Sequence, residues 1–272
     1  MTVNGDLFEA YLFDLDGTVF IGDSLLPHVQ STIEYLRRIG KDIAFLTNTS
    51  VQTRRDCQRR LERFGLTVPL NEIITSAYMS GLYFSECYPD ATVMLVGEKA
   101  LADELEGFDI RTTHNPKLAT HLLVGLDRGF NYEKLHRGVQ ALRQGAMLVA
   151  TNPDPNCPVQ DDVIPDTWAL VKALEVASSV KTHAVIGKPS RYYAQKALDI
   201  IGRPRERCLM VGDRLETDIL LGLESGIKTA LVLTGVSNYD DVKQKAIFPD
   251  YILYNMGELI GKGGVFRNAK LV

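Results

Sequence analysis

The chain has few cysteines, no basic excess and no long apolar run, and each absence narrows its function. Its four cysteines are scattered over 272 residues without a C-x-x-C pair, which disfavours a zinc site or disulfide framework and favours buried or inert thiols in a reducing compartment. With 30 Lys and Arg against 34 Asp and Glu, nothing suggests nucleic-acid binding. No stretch approaches the roughly 20 apolar residues that cross a bilayer, and residues 1–10 lack a signal-peptide pattern. We expect a cytoplasmic protein with no nucleic-acid or membrane partner.

Short apolar runs alternate with helical patterns along most of the sequence. Ala10–Phe13, Ile43–Leu46 and Cys208–Val211 have the composition of strands, and Val29–Ile39 has the pattern of a helix that ends at Gly40. Alternation at this rhythm is typical of parallel sheets covered by helices with right-handed crossovers. The sequence therefore predicts an α/β fold, with more elements than one small sheet can hold.

The strongest single motif is Asp14-Leu15-Asp16-Gly17-Thr18, which follows the apolar run Ala10–Phe13. Two carboxylates this close repel each other, so a metal ion or a site for an anionic substrate is the first hypothesis. A surface Asp-Gly turn is the alternative for this motif taken alone.

Polar residues follow three further predicted strands: Thr47-Asn48-Thr49-Ser50, Gly187-Lys188-Pro189-Ser190, and the segment from Gly212 to Asp218. Taken singly, these could be a helix cap, a surface lysine and an Asx turn. Parallel sheets bind ligands at the carboxyl ends of their strands, however, and the four motifs together supply what phosphoryl transfer needs. One carboxylate can attack phosphorus and others can hold Mg2+, while the lysine, hydroxyl and backbone donors neutralise the phosphate oxygens.

This set of motifs resembles the haloacid dehalogenase-like (HAD) phosphohydrolase superfamily. Asp14–Thr18 matches its D-x-D-G-T motif, Thr47 its hydroxyl motif, Lys188 its lysine, and Asp213 with Asp218 its G-D-x-x-x-x-D motif. The similarity extends over essentially the whole chain to the NagD-like branch, whose marks are Phe45-Leu46-Thr47-Asn48, Val124-Gly125-Leu126-Asp127, Val149–Asp154, Ile186–Ser190 and Leu233-Thr234-Gly235-Val236.

The resemblance implies a doubly wound Rossmann-like parallel-sheet core with an inserted α/β cap domain of the C2 type. The core would comprise residues 1–77 and 183–272, and the cap, which selects the substrate, residues 78–182. The resemblance is also compatible with a homodimer formed through the cap.

The resemblance assigns a role to each motif residue. Asp14 would be the nucleophile that forms an aspartyl-phosphate, and Asp16 would protonate the leaving oxygen and later activate water. Mg2+ would be held by Asp14, the backbone carbonyl of Asp16 and Asp213. Asp218 would support the metal waters or orient Lys188. The presence of Asp16 favours phosphomonoester hydrolysis over carbon–halogen cleavage.

Substrate contacts would come from two parts of the chain. Thr47, Asn48, Thr49 and Lys188 would bind the phosphate, with Thr47 and Lys188 also counted as catalytic. Asn152 and Asp154 would contact the substrate from residues 152–162, a stretch rich in proline and polar groups that is typical of a loop. The expected substrates are small phosphorylated metabolites: sugar phosphates, nucleoside monophosphates and the reagent p-nitrophenyl phosphate.

Two alternatives and one unassigned segment stay open at this point. A phospho-accepting domain of the response-regulator type also uses acidic residues, a hydroxyl and a lysine on a parallel sheet, although the D-x-D-G-T spacing and the large insert disfavour it. A binding protein that has lost its activity is disfavoured because every key position is filled. The basic helix Arg54–Arg63 is either a solvated face or an attractor of anionic substrates.

Overall fold

The computed structural model describes residues 7–159, 162–260 and 267–268, and the chain divides into two compact units. The first unit contains the chain up to Thr47, Gln58–Ile74 and the chain from Lys188 onward. The second contains Asn48–Cys57 and Thr75–Gly187. This division differs from the predicted limits of 78 and 182, and the assignment of a catalytic core and a substrate-selecting cap stays a prediction.

The strands and helices alternate along the chain. The strands are β1 (Ala10–Asp14), β2 (Phe20–Ile21), β3 (Ser24–Leu25), β4 (Asp42–Thr47), β5 (Ile73–Thr75), β6 (Thr92–Val96), β7 (Arg111–Thr113), β8 (His121–Val124), β9 (Met147–Ala150), β10 (Asn156–Val159), β11 (Asp162–Pro165), β12 (Thr182–Val185), β13 (Cys208–Gly212), β14 (Lys228–Val232), β15 (Tyr251–Leu253) and β16 (Arg267–Asn268). The helices are α1 (Val29–Arg38), α2 (Arg54–Arg63), α3 (Ser76–Cys87), α4 (Lys99–Glu106), α5 (Tyr132–Arg143), α6 (Thr167–Ser178), α7 (Arg191–Ile201), α8 (Leu220–Ser225) and α9 (Tyr239–Gln244). Short 3-10 turns cover Leu70–Glu72, Arg205–Arg207 and Met256–Leu259, and a π-helical turn covers Leu215–Ile219.

The first unit is organised by a seven-stranded sheet in the order β16-β15-β14-β13-β1-β4-β5. Strand β1 is parallel to β4 on one side and to β13 on the other, and all five of its residues are buried. Complete burial is typical of a central parallel strand covered on both faces, and it explains the unbroken apolar run Ala10–Phe13. Helix α1 buries Val29, Ile33 and Leu36, one stripe at helical spacing.

The second unit has its own five-stranded sheet in the order β12-β9-β8-β6-β7. All four pairings in it are parallel. Its core joins side chains of β8 and β9 to those of α5 and α6, among them Leu122, Leu148, Leu142 and Leu174. Gly138 of α5 is needed for close packing, because a Cβ there would lie 2.6 Å from a methyl carbon of Leu174.

The predicted α/β class with parallel sheets is confirmed, and the three predicted strands appear as β1, β4 and β13. The expectation of a loop over residues 152–162 is wrong in part, because β10 and β11 form an antiparallel hairpin, with Cys157 paired to Ile164. The prolines and polar residues of this stretch had suggested a loop, although a two-stranded hairpin tolerates proline at its edges. Gln160 and Asp161 lie outside the described residues.

Within the described ranges, no helix is both long and apolar enough to cross a bilayer.

Glu175 ties the last turn of α6 to the start of β12. Its Oε1 accepts hydrogen bonds from the backbone N–H and the hydroxyl of Thr182 at 2.8 and 2.9 Å, and its Oε2 lies 2.6 Å from Lys172 Nζ. The hydrogen bonds from Lys172 and Thr182 lower the pKa of Glu175 to about 2. Because the folded state favours the ionised form, this contribution to stability is complete above about pH 5 and is lost as the pH falls toward 2.

We therefore expect Glu175→Gln to lower the free energy of unfolding at pH 7 by about 1–2 kcal/mol. The difference from the unmodified protein should shrink as the pH falls from 5 to 3. Denaturant unfolding across this range checks it, with the exposed Glu106→Gln as control. A difference independent of pH would contradict the assignment.

Candidate active site

Three strand ends bring the predicted catalytic residues of the first unit to one edge of its sheet. Asp14 is the last residue of β1, Thr47 the last of β4, and Asp213 follows the last residue of β13. The register pairs Asp14 with Leu46 and Phe13 with Val211, so the three strands end almost level. Asp14, Thr47 and Asp213 are all buried.

Lys188 connects this edge to the segment that precedes α7. Its side chain is buried, with the residue only 1% exposed, and its Nζ donates to Asp14 Oδ1 at 2.5 Å, Asp218 Oδ1 at 2.7 Å and the Leu46 carbonyl at 3.1 Å. Burial alone lowers the pKa of Lys188, but the carboxylates of Asp14 and Asp218 outweigh it and raise the pKa, so the ammonium stays charged.

Asp218 reaches the lysine from the π-helical turn Leu215–Ile219. Its second oxygen accepts the backbone N–H of Arg214 at 3.1 Å. The close approach of this side chain to the end of β13 requires glycine at position 212, because a Cβ there would lie 2.3 Å from the Asp218 side chain.

The three buried carboxylates form a group suited to a divalent cation. Asp14, Asp213 and Asp218 each offer an oxygen, and these oxygens lie within 4.8 Å of one another. Burial, with the neighbouring carboxylates, raises the pKa of Asp14 well above its usual value and that of Asp213 to about 7. Three carboxyl groups thus face the single ammonium of Lys188, and carboxylate oxygens are the donors that hard divalent cations prefer, so the residues fit such an ion.

Asp16 lies apart from this cluster. Its side chain is 60% exposed and forms an ion pair with Arg60, whose Nη1 lies 3.8 Å from Asp16 Oδ1. An exposed carboxylate beside a buried one agrees with separate tasks for the two aspartates of the motif.

The segment after β14 holds Asp213 and was not recognised from the sequence as part of the site. The backbone N–H of Val236 donates to Asp213 Oδ2 at 2.6 Å, and the N–H of Ser237 donates to the Asp213 carbonyl at 3.0 Å. The hydroxyl of Thr234 donates to the Gly17 carbonyl at 2.6 Å. Their place in the sequence could have indicated this role, because Thr234 and Gly235 follow a buried strand, as the other motifs do.

Tyr193 is a second residue that the sequence did not single out. It is fully buried in α7, and its hydroxyl donates to the Ile74 carbonyl at 2.7 Å and to the Thr47 carbonyl at 3.2 Å. It thereby fixes the end of β4, where Thr47 lies. In the sequence, Tyr193 fits the apolar positions of an amphipathic helix, so its hydrogen-bonding hydroxyl could not be recognised.

The remaining predicted substrate contacts belong to the second unit, where three of them bond to one another. Asn48 Nδ2 donates to Asp154 Oδ2 at 2.8 Å, and Asn152 Nδ2 donates to the Asn48 carbonyl at 2.9 Å. The Thr49 carbonyl accepts from the Ser76 hydroxyl at 2.9 Å. Their predicted contacts with a substrate stay predictions.

Comparison with known proteins identifies the family of the chain. A family model described as haloacid dehalogenase-like hydrolase matches residues 11–111, and one described as HAD-hydrolase-like matches residues 185–259. The sugar-phosphatase AraL of Bacillus subtilis (strain 168) is 35% identical over 242 residues, 89% of this chain and 88% of its own. The structure of 4-nitrophenylphosphatase from Thermotoga maritima matches with a TM-score of 0.89 at 32% identity, over 94% of this chain and 97% of its own. NagD from E. coli K-12 matches with a TM-score of 0.84 at 29% identity, over 93% of this chain and 99% of its own.

The chain therefore belongs to the haloacid dehalogenase-like hydrolase family. The predicted likeness to NagD is confirmed, and so is the predicted enzyme class, a phosphoric monoester hydrolase of this family.

Gly235 leaves the space that Asp213 occupies, because a Cβ at this position would lie 1.9 Å from Asp213 Oδ2. We expect Gly235→Ala to displace this carboxylate and to weaken divalent-cation binding by about 10- to 100-fold. Calorimetric titration with Mn2+ as the probe measures the effect. Gly107→Ala, where a Cβ meets nothing closer than 3.4 Å, is the matched control. Unchanged affinity in a folded Gly235→Ala protein would show that Asp213 is not a ligand.

Proposed function

We propose that the chain is a Mg2+-dependent phosphatase that hydrolyses small phosphomonoesters through an aspartyl-phosphate on Asp14. The observation that carries the proposal is the buried ammonium of Lys188, bonded to both Asp14 and Asp218 at the carboxyl end of β1. A nucleophilic carboxylate needs a fixed cation beside it when a dianionic phosphate approaches, because the two negative groups otherwise repel each other.

The first half-reaction transfers the phosphoryl group to the protein. An oxygen of Asp14 forms a bond to phosphorus, the ester bond from phosphorus to the leaving oxygen breaks, and that oxygen takes a proton from Asp16. The exposure of the Asp16 carboxylate agrees with a group that must meet the leaving oxygen.

The second half-reaction returns the protein to its starting state. Asp16 takes a proton from water, the water oxygen bonds to phosphorus, and the bond from phosphorus to Asp14 breaks to release inorganic phosphate. One carboxyl group can serve both steps because it gains back the proton that it gave.

The phosphate-binding groups of the first unit are Lys188 and Thr47, the latter buried at the end of β4. Mg2+ would be held by the carboxylates of Asp14 and Asp213 and the backbone carbonyl of Asp16, with Asp218 in support, and would supply charge neutralisation at the phosphate. In the second unit, Asn48, Thr49, Asn152 and Asp154 are proposed to contribute to substrate binding, and residues 78–182 to act as the substrate-selecting cap.

The names of two relatives support the proposed substrate class. One relative is named a sugar-phosphatase and a solved neighbour a 4-nitrophenylphosphatase. These names support sugar phosphates and p-nitrophenyl phosphate as substrates, and nucleoside monophosphates are proposed from the family resemblance alone. No observation favours the response-regulator alternative.

Replacing the two aspartates separates the half-reactions. We expect Asp14→Asn to lower phosphate release from p-nitrophenyl phosphate with Mg2+ by at least about 1,000-fold, because no phosphoenzyme can form. Asp16→Asn should release a burst of nitrophenolate and then turn over slowly, with a phosphate-mass adduct on the peptide that carries Asp14. Asp90→Asn, at a fully exposed carboxylate, is the control and should keep full activity. Turnover that survives in Asp14→Asn would overturn the proposal.

Removal of divalent cations tests whether turnover requires Mg2+. We expect a chelator to abolish turnover and Mg2+ to restore it, because the excess negative charge of the carboxylate cluster otherwise repels the phosphate. Asp213→Asn should need a higher Mg2+ concentration for half-maximal activity, by about 10-fold or more. Full activity of the chelated protein would refute a metal requirement.

A further inference from the structure

Arg60 in the basic helix α2 is mostly buried, unlike an arginine on a solvent-exposed helix face. The side chain of Arg60 is only 15% exposed, whereas Arg63 on the same helix is exposed. Burying most of a guanidinium is unfavourable unless it has partners, so Arg60 requires an explanation that Arg63 does not.

Arg60 contacts three parts of the segment that follows Asp14. Its Nη2 donates to the Gly22 carbonyl at 2.6 Å, its guanidinium carbon lies 4.0 Å from the centre of the Phe20 ring, and its Nη1 lies 3.8 Å from Asp16 Oδ1. A planar guanidinium can make all three contacts at once, which a lysine ammonium cannot. One side chain thus connects the exposed carboxylate of Asp16 to the β2–β3 hairpin behind it.

The hairpin is in turn part of the turn that carries Asp16. The N–H of Gly17 donates to the Phe20 carbonyl at 2.8 Å, and the N–H of Phe20 donates to the Leu15 carbonyl at 3.1 Å. Phe20 is itself buried and lies against Phe64 with ring centres 5.5 Å apart. The Phe20–Arg60 contact therefore anchors the backbone on both sides of Asp16.

The distance between the two charges suits a proton-transferring group. A bidentate arginine at about 2.8 Å would occupy both carboxylate oxygens. At 3.8 Å the guanidinium attracts the carboxylate without a direct hydrogen bond. The carboxyl oxygens of Asp16 are then available for proton transfer to the leaving oxygen of the substrate.

We propose that Arg60 is a positioning residue that holds Asp16 in the orientation needed to deliver a proton to the leaving oxygen. This inference rests on the proposed function. It assigns a role to Arg60 alone and assigns none to the overall positive charge of helix α2.

Leaving-group dependence tests the inference. Nitrophenolate leaves with little need of a proton, whereas the more basic phenolate of phenyl phosphate needs one, and the two substrates are nearly equal in shape. The ratio of their kcat/KM values reports proton delivery, because kcat/KM covers the steps up to departure of the leaving group. General acid catalysis contributes about 100- to 10,000-fold, so Asp16→Asn should lower kcat/KM far more for phenyl phosphate than for p-nitrophenyl phosphate.

Arg60→Met keeps the long apolar stem over Phe20 and removes the charge and its hydrogen bonds. We expect it to lower kcat/KM about 10-fold more for phenyl phosphate than for p-nitrophenyl phosphate, which is part of the contribution that general acid catalysis makes. Arg60→Lys, which retains the charge without the planar fork, should fall between Arg60→Met and the unmodified protein. In Asp16→Asn, the additional change Arg60→Met should leave the substrate ratio where Asp16→Asn alone puts it. Arg63→Met removes the same charge from an exposed position and should leave the ratio unchanged.

Each of four results would overturn the inference. An equal loss on both substrates in Arg60→Met and Arg60→Lys would show a structural role only, and the same ratio change in Arg63→Met would show an effect of overall charge. If Asp16→Asn itself does not discriminate between the substrates, the proposed role of Asp16 fails and this inference fails with it. A discriminating Asp16→Asn beside a non-discriminating Arg60→Met would overturn the Arg60 inference alone.

Discussion

The buried ammonium of Lys188 is the interaction on which the rest of the first unit's site depends. A charge with 1% exposure is tolerated only where its partners replace water, and here these include two carboxylates and a backbone carbonyl. The dependence is mutual, because Asp14 and Asp218 are themselves buried beside a third carboxylate. Three strand ends and the segment before α7 must therefore lie within a few ångströms of their places for any of these charges to be stable.

Backbone shape contributes as much as charge to this arrangement. Asp213 lies between Gly17 and Gly235, and Asp218 packs against Gly212, with no room for a methyl group at any of the three glycines. Gly17 also has a φ of +89°, a conformation in which other residues are strained. The carboxylates are thus confined by the main chain on several sides, which keeps like charges close without letting them separate.

The sequence predicted the part of this site that depends on residue type at strand ends. Apolar runs located β1, β4 and β13, and the polar residues after them located Asp14, Thr47 and Asp213, because the carboxyl ends of parallel strands share one edge of a sheet. The same rule pointed to Lys188 and to the segment that ends at Asp218, whereas the individual roles of these two residues came from the family resemblance. The hairpin β10–β11 was missed because its prolines suggested a loop.

Contacts made by common residues in unremarkable positions could not be predicted. The hydroxyl of Tyr193 bonds to two carbonyls far away in sequence, Val236 acts through a backbone N–H, and Arg60 is one of several similar arginines in α2. Such contacts depend on three-dimensional distances that no local pattern encodes. The division of the chain into units likewise departs from the motif spacing, since Asn48–Cys57 joins the second unit.

The contacts of Tyr193 bear on how the inserted segments of the chain could be replaced. The two carbonyls that it binds belong to Thr47 and Ile74, the residues at which the chain leaves the first unit. Both exit points are therefore fixed by one phenol group that belongs to the first unit itself. The first unit thus carries its own attachment points for inserted segments. Such a framework suits the exchange of one insert for another, in natural recombination or in engineering, while the strand ends that hold Asp14 and Thr47 stay in place.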